Sequence, residues 1–172
     1  MNQLLVSHII TELRRNRELF STILTGIPKP EYSWKPTNDK WCLLEVVCHL
    51  FDEEQMDFKF RMKHVLEHPG KELPKMNPLS WVKDHDYMGQ DYESMLEKFM
   101  KERDASLAWL AKLGEIDWNA SWTHPKYGPL KAKMFFANWL AHDYLHIRQI
   151  MKVRHQYLQH ITRDSLKYAG DL

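Results

Sequence analysis

The stretch PLKAKMFFANWLAHDYLHIRQIMKV, Pro129 to Val153, decides the fold. Its large apolar residues Leu130, Met134, Phe135, Trp139, Leu145, Ile150 and Val153 follow helical steps rather than the alternation of a strand. Gly128 precedes Pro129, whose missing N–H costs nothing in a first helical turn. The pattern therefore predicts a helix over about 130–153.

The same period recurs in three earlier segments. About 3–25 carries Leu4, Leu5, Ile9, Leu13, Leu19, Phe20, Ile23 and Leu24. About 42–67 carries Leu43, Val46, Val47, Leu50, Phe51, Phe58, Met62, Val65 and Leu66, and about 91–113 carries Tyr92, Leu96, Phe99, Leu107, Leu110 and Leu113. The six glycines and eight prolines punctuate the chain where these patterns break. Runs of β-branched residues long enough for a strand are missing, so the fold class is all-α: a four-helix bundle with a short fifth C-terminal helix near 160–168. Connections of about 17, 23 and 16 residues exceed what a simple up-and-down bundle needs, which predicts long crossover loops that carry function. They hold Trp34, Trp41, Trp81, Trp118 and Trp122, expected to cover one end of the bundle.

At 172 residues the chain fits one domain, 1–172, large enough to bury a core without staples. Hydrophobic residues make up 44% and charged residues 27%, which excludes a disordered or fibrous chain. A net charge of +1 gives no electrostatic grip on nucleic acid or on a membrane surface. Met1 to Ile10 has its positive charges, Arg14, Arg15 and Arg17, on the wrong side for a secretory signal. No run reaches the roughly 20 apolar residues of a membrane span. Cys42 and Cys48 stand six apart in one helix start, too far for a disulfide, and two free thiols suit a reducing cytoplasm. The expected location is cytoplasmic.

Chemistry concentrates at His142-Asp143-Tyr144-Leu145-His146, where imidazoles four apart share a helix face and can converge on one ion. A lone pair of this kind is more often a pair of ordinary histidines. His49, in Val46-Val47-Cys48-His49-Leu50, is a third on another helix. Bundle cores build metal sites from facing helices, and three histidines with an open position form a familiar catalytic arrangement. His64 and His68 share the spacing, but Pro69 takes His68 out of helical geometry, leaving a helix cap. His8, His85, His155 and His160 lack partners and are expected at the surface, while His124 is a weak candidate for the mouth of a site. A zinc-protease reading of His142-Asp143-x-x-His146 fails, because Glu115 is the last glutamate and Gln149 and Lys152 stand where the extended motif needs Gly and His.

With those residues placed, the chain resembles the DinB-like family of bacterial four-helix-bundle metalloproteins. The resemblance runs through Lys40-Trp41-Cys42-x-x-Glu45-Val46-x-x-His49-Leu50-x-x-x-Glu54 and His142-Asp143-x-x-His146-x-x-Gln149-Ile150. Pro30-Glu31, Trp34-Lys35-Pro36 and Gly128 are also similar. Cys42 departs from the Ser or Thr usual at that helix start, which predicts a shifted start or one weaker by about 1 kcal/mol. The resemblance implies that His49, His142 and His146 hold one divalent metal ion, zinc or nickel, and it implies a homodimer. It also implies an enzyme: some members are thiol-dependent S-transferases using a low-molecular-weight thiol, others metal-dependent hydrolases. Either chemistry activates a thiol or water against a small electrophilic substrate.

Around those ligands, Glu53 and Asn138 are weak candidates for a supporting or catalytic role, and Gln149 a weaker one. Within Asp52-Glu53-Glu54 a solvated acid is the more common reading of Glu53. The competing class is a non-catalytic metal-binding stress-response module, in which a fourth ligand such as His124 or Glu53 would close the site.

Overall fold

Four long helical stretches form the bundle of this computed structural model, which describes residues 1–170. Helix α1 (Gln3–Leu24) is capped by Asn2, whose side chain accepts from the Leu5 N–H at 2.9 Å. A short α2 (Lys29–Tyr32) lies in the first crossover. Helices α3 (Leu43–Met56) and α4 (Phe58–Glu67) make up the second long stretch, which breaks at Asp57 where the pattern predicts one helix. The second crossover holds α5 (Pro78–Asp84) and a 3-10 turn at Tyr87–Gly89. Helix α6 (Tyr92–Ala111) follows, capped by Asp91.

Strands β1 (Ser121–His124) and β2 (Gly128–Lys131) form an antiparallel hairpin before α7 (Ala132–Thr162). The all-α four-helix bundle stands as expected, and this small two-stranded hairpin is an addition to it. Pro129 lies in β2, not in a first helical turn. Each strand has only four residues, too few for alternation to register. They are held by pairing Trp122 with Leu130 against the helices beneath. Helix α7 also runs further than predicted. Between Pro129 and Gly170 the chain has neither Gly nor Pro, and the helix ends only where Arg163 turns left-handed at φ 59°. Of the expected fifth helix there remains a single 3-10 turn, Lys167–Ala169.

Helix α3 starts where the pattern placed it. Cys42 occupies the cap position, and the Glu45 carboxylate accepts its backbone N–H at 2.9 Å while pairing with Lys35 Nζ at 2.7 Å. The reciprocal half of a capping box thus replaces the missing hydroxyl.

The long connections have a geometric cause. Helix α1 packs on α6 and α7 rather than on α3, so the chain must cross the bundle before its second long stretch. That stretch then leans two ways, α3 on α6 and α4 on α7, with the break at Asp57 between. The tryptophans divide in the same manner. Trp34, Trp41 and Trp81 join the core cluster around Phe20, Val46 and Phe99, whereas Trp118 and Trp122 join the one around Leu13, Met62 and Phe136. They cover both regions of the core and not one end. Among the described residues no helix is long and apolar enough to cross a membrane.

Phe99 is fully buried and meets Phe20 edge-on at 5.4 Å. Phe99→Ala is expected to lower the unfolding free energy by about 3–5 kcal/mol in a denaturant titration, with the helical signal at low denaturant retained.

Candidate metal centre

Helix α3 presents Leu43, Val46, Val47 and Leu50 to the core, and this burial carries His49 inward with only 8% of its surface exposed. Helix α7 does the same for His146, also 8% exposed, and sets His142 one turn before it. The three Nε2 atoms converge: His142 lies 3.3 Å from His49 and 3.0 Å from His146, and all three ligand atoms fall within 4.8 Å of one another. Nitrogens about 2.0–2.1 Å from a shared zinc at tetrahedral angles stand about 3.3–3.4 Å apart. The residues present therefore fit a divalent ion.

Electrostatics favour the same conclusion. Burial, reinforced by the neighbouring imidazoles, lowers the pKa of His49 to about 3 and of His142 to about 2. Burial lowers that of His146 as well, with the Gln149 side chain and the Asp143 charge pulling the other way. All three rings are neutral near pH 7, with lone pairs free for a cation. Nδ1 of His49 and of His146 are buried without an aligned hydrogen bond among the described residues. Ring contacts instead hold the imidazoles, Trp41 against His49 at 4.9 Å and Phe58 against His142 at 5.1 Å.

Glu53 is not the solvated acid that its sequence context suggests. It is 7% exposed, with Oε1 3.8 Å from His49 Nε2. Burial first, then the nearby Asp57 charge, pushes its pKa up to about 8, so it holds a proton near neutrality. Asp57, at the α3–α4 break, has a raised pKa through burial and pairs with Arg61 at 2.8 Å.

The other candidates lie elsewhere. Asn138 is exposed and donates to the Met134 carbonyl at 2.8 Å, because α7 turns that face to solvent. His124 sits in the hairpin, where its Nδ1 accepts the Lys126 and Tyr127 backbone N–H groups at 3.0 and 3.3 Å. It is a turn residue and belongs to no metal cluster among the described residues. His85 is exposed, as expected, but has a partner: its Nδ1 meets Asp52 Oδ2 at 2.7 Å, beside the Tyr87 hydroxyl, which donates to the same oxygen at 2.6 Å.

One group of residues escaped the sequence reading. Arg103 on α6 is 1% exposed and binds Asp143 through both Nη atoms, at 2.8 and 2.7 Å, with Glu54 Oε2 2.9 Å away. The available signal was its spacing, four residues from both Phe99 and Leu107, which puts a cation on the apolar face of α6.

Cys42 and Cys48 stand apart from the imidazole cluster, both fully buried, with thiols pushed up to about 11 and about 12, chiefly by burial. A raised thiol pKa leaves little thiolate at pH 8, so the folded protein is expected to label far more slowly with Ellman's reagent than the unfolded one. Added zinc should leave the labelling rate of the folded protein unchanged, since neither thiol is a ligand.

Comparison with known proteins agrees with this architecture. A solved structure described as "YfiT from Bacillus subtilis is a probable metal-dependent hydrolase with an unusual four-helix bundle topology" superposes with a TM-score of 0.79. The likeness covers 91% of this chain and 90% of that one at 15% sequence identity, which establishes a shared fold. No curated protein sequence matches the chain. The sequence model of the DinB superfamily matches residues 12–150, most of the chain and all three histidines of the cluster. This protein belongs to the DinB superfamily.

Proposed function

We propose that this chain is a metal-dependent enzyme in which His49, His142 and His146 hold one divalent cation, zinc or nickel. It would turn a thiol or water against a small electrophilic substrate. The observation that carries the reading is a cluster of three neutral imidazoles, His49 and His146 buried and His142 partly so, with no fourth ligand among the described residues. Structural zinc sites are typically closed by four protein ligands, whereas three leave room for a reactant. A bound ion supplies Lewis acidity, lowering the pKa of a water or thiol beside it.

The chain's own residues do the rest. Trp41 and Phe58 flank the imidazoles with apolar ring faces, which suits an uncharged electrophile. Glu53 stands on the site side of α3 and, holding a proton near neutrality, is the group placed to pass one to a leaving group. Neither Cys42 nor Cys48 serves as nucleophile, being buried and protonated, so a thiol reaction would draw on a free low-molecular-weight thiol. Family resemblance supports that thiol-transfer branch, and the description of the YfiT structure supports hydrolysis.

Elemental analysis of untagged protein tests the reading. About one equivalent of zinc or nickel is expected, and its loss in both His49→Ala and His146→Ala with the helical signal intact. A folded wild type that takes up no divalent ion after reconstitution would overturn it. Turnover of an electrophile with and without added thiol then separates transfer from hydrolysis. Glu53→Gln is expected to lower kcat by roughly 10²–10⁴-fold while leaving metal content unchanged.

A further inference from the structure

The Arg103 cluster is connected in a way that simple core filling does not require. Its guanidinium on α6 reaches Asp143 on α7 and Glu54 on α3, and Asn16 Nδ2 on α1 donates to Asp143 Oδ2 at 3.2 Å. Trp139 Nε1 on α7 donates to Glu54 Oε2 at 2.9 Å, closing a loop between α3 and α7. All four long stretches of the bundle thus contribute a side chain to one hydrogen-bonded cluster, three of them at the Arg103 ion triad and α1 through Asp143.

Both carboxylates are sequence neighbours of the metal centre. Asp143 directly follows His142, and Glu54 lies five residues after His49 and directly after Glu53. Helix α3 packs chiefly on α6 and only slightly on α7, so apolar contact alone ties His49 loosely to the two histidines of α7. A planar guanidinium fixes distance and angle through paired hydrogen bonds, whereas apolar surfaces can slide. Stability alone is a weak reason for such a cluster, because a buried ion triad can often be replaced by apolar groups of like volume without loss.

We infer that Arg103 is a positioning residue that sets α3 against α7 through Glu54 and Asp143 and thereby fixes the separation of His49 from His142 and His146. The inference rests on the three-histidine reading of the metal centre. It assigns Arg103 no contact with metal or substrate.

Cobalt(II) titration followed by visible absorption tests this without any assay of turnover. Three variants are compared with the wild type: Arg103→Lys; the neutral triple variant Glu54→Gln, Arg103→Met, Asp143→Asn; and Leu13→Ala as a core control. Leu13 is fully buried on α1 and outside the ion cluster, so its loss weakens the fold without touching the fork. Arg103→Lys and the triple variant are expected to bind cobalt about 10–100-fold more weakly, the usual effect of losing support around a ligand, and to shift the visible bands. Leu13→Ala should keep wild-type affinity and bands. Wild-type cobalt affinity and bands in a folded triple variant would overturn the positioning role, as would equal weakening in Leu13→Ala. The triple variant leaves no buried charge unpaired, so it stays informative if Arg103→Lys fails to fold. A folded wild type that binds no cobalt would overturn the metal centre itself, a result distinct from the other two.

Discussion

A guanidinium taken out of water must be matched by anions with good geometry, and this constraint organises the bundle around Arg103. The charge is fully enclosed, and burial acting to lower its pKa is outweighed by Asp143 and Glu54, which raise it. Meeting that demand requires α3, α6 and α7 to arrive at one level with particular side chains facing in. Removing one partner of such a pair typically costs about 3–5 kcal/mol, because the other is left buried and unpaired. A slip of α7 by one residue would turn Asp143 away from the guanidinium and carry both histidines off the site.

The acidic run Asp52-Glu53-Glu54 shows how one helix serves three separate demands. Successive residues point about 100° apart around a helix, so three adjacent carboxylates face three neighbours. Asp52 ties down the second crossover by accepting from His85 and Tyr87. Glu53 looks toward His49 and keeps its proton. Glu54 meets Arg103 and the Trp139 indole. The same divergence operates on α7, where His142 and His146 share a face and Asp143 between them turns to the ion cluster.

Much of this was legible beforehand. The helical period located the four long stretches, and the i, i+4 pair with His49 named three imidazoles that the structure brings together. Other features were not legible, for identifiable reasons. Strands of four residues leave no measurable alternation, which hid the hairpin. Composition could not show which long loop covers which part of the core, so the tryptophans were assigned to one end. Glu53 looked solvated because an acidic run normally is, whereas here every member finds burial and a neighbour. Asn138 had suitable spacing from His142 but fell on the solvent side of α7.

The sequence by itself determined the helical class and the i, i+4 histidine pair, because these follow from periodicity and short-range spacing, while the ordered motifs from Lys40 to Glu54 and from His142 to Ile150 carried the family resemblance and, with it, His49. Tertiary structure alone decided which carboxylate stays protonated beside the three imidazoles and which pairs with Arg103. It alone decided that His124 caps a turn and that α3 and α7 are joined through α6. The physical reason is that charge state and partnership depend on what lies across the bundle, tens of residues away along the chain. Local pattern carries no record of that distance.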